Sequence, residues 1–267
     1  MKNYALYHSM DLDGWSCGMI LKRAGYQVIP YTYGDALPVP LSEIAVIADV
    51  SLPASQMCSW SNAVENALWF DHHAPIIKEV TCNSNWKGKL IRSSLGCCES
   101  VLAHFPLKDA WLTYGNISLA ARYDVWDFSY PGDMVPLYHQ LGWEAKVTFG
   151  DIDATHWFVD PYHYIQDGVV IAKYLQKQAD NAVSRAIERT LSGTPVKVIM
   201  GPATNPMITL THSGIFVFVT MGKTGWTYSL RSSNDNDVDL GELAKSFGGG
   251  GHAHAAGFRA NRQLLFT

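Results

Sequence analysis

Residues 67–74, Ala67-Leu68-Trp69-Phe70-Asp71-His72-His73-Ala74, decide how this chain is read. The first four are apolar and predict a short buried strand, with an acid and two imidazoles at its C-terminal end. In an open α/β sheet that edge is where ligands bind. If the backbone stays extended there, neighbouring side chains point to opposite sides. His72 and His73 are therefore expected to differ, one turned to a metal ion and the other to a bound molecule or the ion's surroundings.

Working upstream, Tyr4-Ala5-Leu6-Tyr7 reads as a first strand and His8-Ser9-Met10-Asp11-Leu12-Asp13-Gly14 as the loop at its end. Asp11 and Asp13, two apart in an extended loop, can aim their carboxylates to one side, with His8 just before them. Gly14 is expected to turn the chain tightly into a helix over Trp15 to Ala24. Acids before a helix ordinarily serve its dipole; a histidine and two aspartates together at a strand end point to a cation. Gln27 to Tyr31 is a second strand. Ile44-Ala45-Val46-Ile47-Ala48 is the clearest buried strand and Asp49 ends it, a costly place for a carboxylate unless it is paired or bound to a cation. Pro53 to Asn66 supplies a crossover helix that leads back to Asp71. The alternation predicts a parallel sheet with right-handed crossovers, and three acidic loops meeting at one edge.

Working downstream, Ser93 or Ser94 is expected to cap a helix holding Cys98 and Glu99. A further helix runs from near Asp109 to Tyr123, and Asp124 after it is the candidate for the last carboxylate, with Asp127 its local competitor and Trp126 a packing residue. Tyr162 to about Leu191 reads as one long helix with a single glycine, Gly168, of the kind that bridges two domains. A β-rich segment begins at Val196, with strands at Ile215–Thr220 and Trp226–Leu230 and an acidic turn at Asn234–Asp239. Leu240 to Phe247 reads as an amphipathic helix. Gly248-Gly249-Gly250-Gly251-His252 follows, then Ala255-Ala256-Gly257-Phe258. Four glycines leave amides open to an anion, with Gly249, Gly250, Gly251 and His252 as the candidate phosphate contacts and Arg231 as a second one. His104, His139, His156, His163 and His212 are expected to be structural or exposed, and His254 to pack.

Composition sets the outer bounds. The 267 residues are 48% hydrophobic and 16% charged, which is globular rather than disordered, and the net charge of −4 offers no field for long nucleic acid. Cys17, Cys58, Cys82, Cys97 and Cys98 form no CxxC pair, so reduced, packed thiols are expected rather than disulfides or a thiolate zinc site. Met1-Lys2-Asn3 leads straight into a strand pattern and no apolar run approaches the ~20 residues of a membrane helix. A cytoplasmic protein is expected.

Taken together, His8 to Gly14, Ala48-Asp49, Asp71-His72-His73 and the GGGGH…AAGF tail resemble the DHH phosphoesterases that carry the DHH-associated C-terminal domain. The resemblance implies a parallel-sheet α/β domain over residues 1–158, a helical linker over 159–192, and a smaller α/β substrate-binding domain over 193–267, with the active site in the cleft. It implies two ions, His8 and Asp11 on one, Asp13 and His72 on the other, and Asp49 and Asp124 able to reach both. Oxygen and imidazole donors suit Mn²⁺ and admit Mg²⁺. His73 and Asp71 are the implied catalytic residues, His73 as a contact to phosphate, and a water on the metals is the attacker. The implied substrates are short oligonucleotides or small nucleotides, as for a nanoRNase or a bisphosphonucleotide phosphatase. Cyclic dinucleotides or single strands are alternatives, and an inorganic pyrophosphatase or a non-catalytic nucleotide-binding protein stands further off. Oligomeric state is left open.

Overall fold

The structure, a computed structural model, describes residues 3–107, 110–128, 134–149, 161–223 and 225–261, with the side chains of residues 74, 75, 110–113, 148, 149 and 252 outside that description. The chain divides into two units, Met1–Val169 and Val170–Thr267.

The first unit begins β1 (Tyr4–His8), α1 (Leu12–Arg23), β2 (Gln27–Tyr31), β3 (Ile44–Ala48), α2 (Ala54–Ala63), β4 (Leu68–Asp71), α3 (Ala74–Thr81) and β5 (Lys89–Arg92). Among the described residues four helices follow, α4 (Cys97–His104), α5 (Ala110–Asp124), α6 (Val135–Phe149) and α7 (Tyr162–Ser184), the last running on into the second unit. The five strands form one parallel sheet in the order β2-β1-β3-β4-β5. Pro30 sits in β2, at the sheet edge, where a missing amide is tolerated. Strand alternation sends Ala5, Val46, Ala48 and Phe70 to a core shared with α1, α4 and α5, and Leu6, Ile47 and Trp69 to a second core with α2 and α3. Burying a side chain such as Phe70, fully inaccessible here, contributes roughly 2–3 kcal/mol. The order reverses between β1 and β3, so the loops after those strands open the crevice where doubly wound sheets bind ligands.

Several local expectations are revised. The first helix starts at Leu12 rather than Trp15, with Asp11 as N-cap accepting from the Gly14 amide. Gly14 is needed for closeness, not for a turn: a Cβ there would lie 2.3 Å from the His8 carbonyl oxygen and 2.8 Å from Asp49 Oδ2. Neither Ser93 nor Ser94 caps α4; Gly96 holds that position. Asp109, the expected start of α5, lies outside the described residues, as do His156 and the 158/159 boundary. Gly168 lets α7 touch α6, since a Cβ would stand 1.7 Å from the Tyr138 carbonyl oxygen.

The second unit holds β6 (Ile187–Leu191), β7 (Thr194–Met200), α8 (Met207–Thr211), β8 (Ile215–Gly222), β9 (Gly225–Ser232), α9 (Leu240–Lys245), β10 (Gly250–His252) and β11 (Ala255–Ala260). They make a mixed sheet in the order β10-β11-β9-β8-β7-β6, in which only β7 and β8 run parallel. Val217, Val219, Tyr228, Leu230 and Phe258 share a core with Leu240 and Ala244 of α9. The long helix ends at Ser184, so residues 187–191, expected to be helical, are instead the edge strand β6. Ser192 and Gly193 turn the hairpin to β7 with φ of 49° and 83°.

Candidate metal centre

The C-terminal ends of β1, β3 and β4 deliver the acids and imidazoles to one place, joined by the ends of α1 and α5. His8 Nδ1 lies 2.6 Å from Asp11 Oδ2 and 3.6 Å from Asp49 Oδ2. His72 Nε2 lies 3.1 Å from Asp124 Oδ2 and 3.6 Å from Asp49 Oδ1. Three sets of three oxygen or imidazole donor atoms result, His8/Asp11/Asp49, Asp13/His72/Asp124 and Asp49/His72/His73, each with its atoms within 4.8 Å of one another. Asp49 turns one oxygen toward His8 and the other toward His72, and so stands between the first two sets. Asp124 falls in the second set alone, and Asp127 instead pairs with the Arg122 guanidinium at 3.3 Å.

The donor set fits divalent cations held by oxygen and imidazole. Asp49 Oδ1 and His72 Nε2 are buried and, among the described residues, make no well-formed hydrogen bond, only the 3.1 and 3.6 Å ion-pair contacts, which is costly for such atoms unless a cation occupies the space between them. Asp49 also adopts φ of 55°, a left-handed conformation in which a non-glycine residue is strained, and such strain gathers at functional sites.

The electrostatics describe a cluster organised around positive charge. His8 is held up to about 10, chiefly by its hydrogen bonds to Asp11 and Asp49. Burial pulls His72 down, but Asp49, Asp124 and Asp13 outweigh it and hold the imidazole at about 9. Burial pushes Asp124 up to about 6, while at Asp49 the neighbouring histidines overcome burial and keep the carboxyl below the ordinary aspartate range. Burial, with Asp49 and Asp124 nearby, raises Asp13 well above that range.

Asp13 has a second task that sequence reading misses. Its oxygens accept the amides of Cys97 and Cys98 at 2.6 and 2.9 Å, closing the first turn of α4 from a distant part of the chain. Gly96 admits the carboxylate, since a Cβ there would meet Asp13 Oδ1 at 2.5 Å. Cys17 and Cys97 also lie beside Asp13, but burial drives both thiols upward, Cys97 to about 12, so they remain neutral packing groups. Among the cysteines only Cys82 is exposed.

Asp71 is fully inaccessible and saturated. It accepts from Ser51 Oγ at 2.6 Å, the Trp69 indole at 3.0 Å, the amides of His72 and His73 at 2.7 and 2.9 Å, and pairs with His73 Nδ1 at 2.8 Å. It therefore positions both histidines rather than facing a ligand itself. His73 Nδ1 is engaged by Asp71, and that hydrogen bond raises the imidazole's pKa.

In the second unit the glycine run is not the open loop expected. Gly248, at φ 78°, and Gly249 donate their amides to the carbonyls of Lys245 and Ala244 at the C-terminal end of α9, and Gly250 to His252 pair with β11 as an edge strand. Gly249 is glycine because a Cβ would lie 2.1 Å from the Gly257 carbonyl oxygen, and at Gly251 it would meet the Ala255 carbonyl oxygen at 2.5 Å; at Gly250 nothing lies within 4 Å. The side chain of His252 is outside the described residues. His254, expected to pack, is exposed, with Nδ1 2.8 Å from Ser232 Oγ. Arg231 is half-buried and its guanidinium reaches only the carbonyl oxygens of Leu230 and Ala256 among the described residues, at 2.9 and 3.5 Å.

Residues 169–264 match the DHHA1 domain family. No curated protein sequence matches the chain. Among solved structures it is similar to the pGpG-specific phosphodiesterase PggH from Vibrio cholerae, with a TM-score of 0.59 and 17% identity, covering 97% of this chain and 93% of that one. It is similar to an exopolyphosphatase-related protein from Bacteroides fragilis, with a TM-score of 0.55 and 13% identity, covering 98% and 88%. RecJ from Thermus thermophilus, solved with Mn²⁺, gives 0.57 and 14%, covering 97% of this chain and 49% of RecJ. Residues 169–264 thus carry the DHHA1 domain, and the chain as a whole shares the fold of these structures.

Proposed function

We propose that the chain is a divalent-metal-dependent phosphoesterase acting on short oligonucleotides or small nucleotides. Asp49 carries the reading: a buried carboxylate whose two oxygens face two histidines, each backed by further aspartates. His8, Asp11 and Asp49 would hold one ion and Asp13, His72 and Asp124 the other, with Asp49 shared. Two such ions supply an activated water and neutralise the charge of an in-line displacement at phosphorus. The donor chemistry favours Mn²⁺ and admits Mg²⁺.

The chain's own groups do the rest. His73, oriented by Asp71, presents Nε2 to a phosphoryl oxygen or to the leaving oxygen that must gain a proton. Arg231, charged and without an acidic partner among the described residues, suits a substrate phosphate. His252 is assigned to the same task by its place after the glycine run. Two features support a small substrate: the net charge of −4, too acidic to hold a long strand, and the likeness in fold to a protein described as pGpG-specific.

The test is kinetic. Chelation is expected to abolish hydrolysis and Mn²⁺ to restore it, with rates falling along a ladder from dinucleotides to strands of about twenty residues. His252→Ala should weaken turnover while metal content by elemental analysis stays at the wild-type level. Undiminished cleavage of the long strands would return the protein to an exonuclease reading, and full activity after demetallation would sink the two-ion site.

A further inference from the structure

We propose that Tyr33 is a stacking platform for the nucleobase next to the scissile phosphate. The proposal rests on the phosphoesterase reading above and adds to it what holds the nucleoside.

Tyr33 follows β2, on the same sheet edge as the metal centre, and is 52% exposed despite its size. Its ring lies 5.4 Å from the His8 ring and 5.9 Å from that of Tyr31, which meets it edge-on. Its polar end is fixed, because Tyr33 Oη accepts the Ser51 amide at 2.9 Å. Ser51 in turn donates its hydroxyl to Asp71, the residue that orients His73. One hydrogen-bonded chain thus ties the exposed ring to the loops that carry Asp49 and the two histidines. A rigid aromatic face is thereby held beside the place where a phosphate would bind, one ring away from His8. Stacking on such a face is tolerant of base identity and costs little entropy when the ring is already immobile.

A tyrosine that merely shields His8 makes a different prediction. Its loss would weaken metal binding and affect every phosphate ligand alike. Calorimetry on the Mn²⁺-loaded protein separates the two, with adenosine 5′-phosphate and ribose 5-phosphate as probes. The wild type should bind the base-bearing ligand on the order of 10-fold more tightly, within the roughly 5- to 150-fold that base–aromatic stacking supplies. Tyr33→Ala should bring that ratio near one with manganese content unchanged. Tyr33→Phe and Tyr33→Trp, which keep a ring but lose the anchor to the Ser51 amide, should retain a ratio between those of the wild type and Tyr33→Ala. An unchanged ratio in Tyr33→Ala, equal losses for both ligands, or no binding of either by the wild type would overturn the proposal. If the ratio behaves as expected but no phosphate ester is cleaved, the phosphoesterase reading fails while the stacking assignment stands.

Discussion

Asp49 shows how a single residue can be constrained twice. Its backbone needs a side chain that tolerates φ of 55°, and its carboxylate must serve two histidines at once. Asn keeps the shape and the left-handed tolerance but not the charge. Asp49→Asn is therefore expected to fold with an unchanged circular dichroism spectrum while losing bound manganese. Turnover should fall by more than the roughly 10–100-fold that losing an outer partner costs a metal site. Retention of both ions by elemental analysis would move Asp49 out of the ligand shell. This residue was legible in the sequence because a carboxylate directly after the apolar run of β3 is costly unless a partner or a cation meets it. The capping role of Asp13 was not, because its partners lie 84 and 85 positions away and capping by side chains is normally local.

At the scale of elements, β1, β3 and β4 could be read because each is a short apolar run stopped by charge. The strand β6 could not: Ile187-Glu188-Arg189-Thr190-Leu191 lies at an edge, mostly exposed, and has no alternation to separate it from the helix before it. The glycine run was legible as special but not in its parts, since identical residues serve a helix cap, an edge strand and close packing. These parts separate by substitution. Gly249→Ala drives a Cβ to 2.1 Å from a carbonyl oxygen and should cost at least about 1–3 kcal/mol in urea unfolding. Gly250→Ala meets nothing within 4 Å, so its stability should stay within about 0.5 kcal/mol of wild type. A fall in substrate affinity in that variant would show that the open space at Gly250 belongs to a ligand.

For the whole molecule, among the described residues no helix is long and apolar enough to cross a membrane. The stability of the first unit carries a pH dependence that arises away from the metal centre. His139 is fully buried between helices, with Nε2 2.7 Å from Asn116 Oδ1, and burial holds its pKa down to about 3. The unfolded chain takes up a proton near 6.5 that the folded chain refuses, so this contribution is complete above that pH and is lost as pH falls toward 3. The slope is at most about 1.4 kcal/mol per pH unit. His139→Gln retains a donor for Asn116 and removes the titration. Its unfolding midpoint should fall less steeply than that of the wild type between about pH 7 and 5; parallel curves would assign acid sensitivity elsewhere.

The conformation of Asp49 also has an evolutionary consequence. Codons one nucleotide from those of aspartate encode residues that keep the left-handed backbone without the charge, as Asn and Gly do, or keep the charge on a longer side chain, as Glu does. No single step preserves both, so position 49 has no neutral neighbours. If position 49 holds metal ions as proposed, any lineage in which it has changed should have lost that chemistry or rebuilt it from other residues.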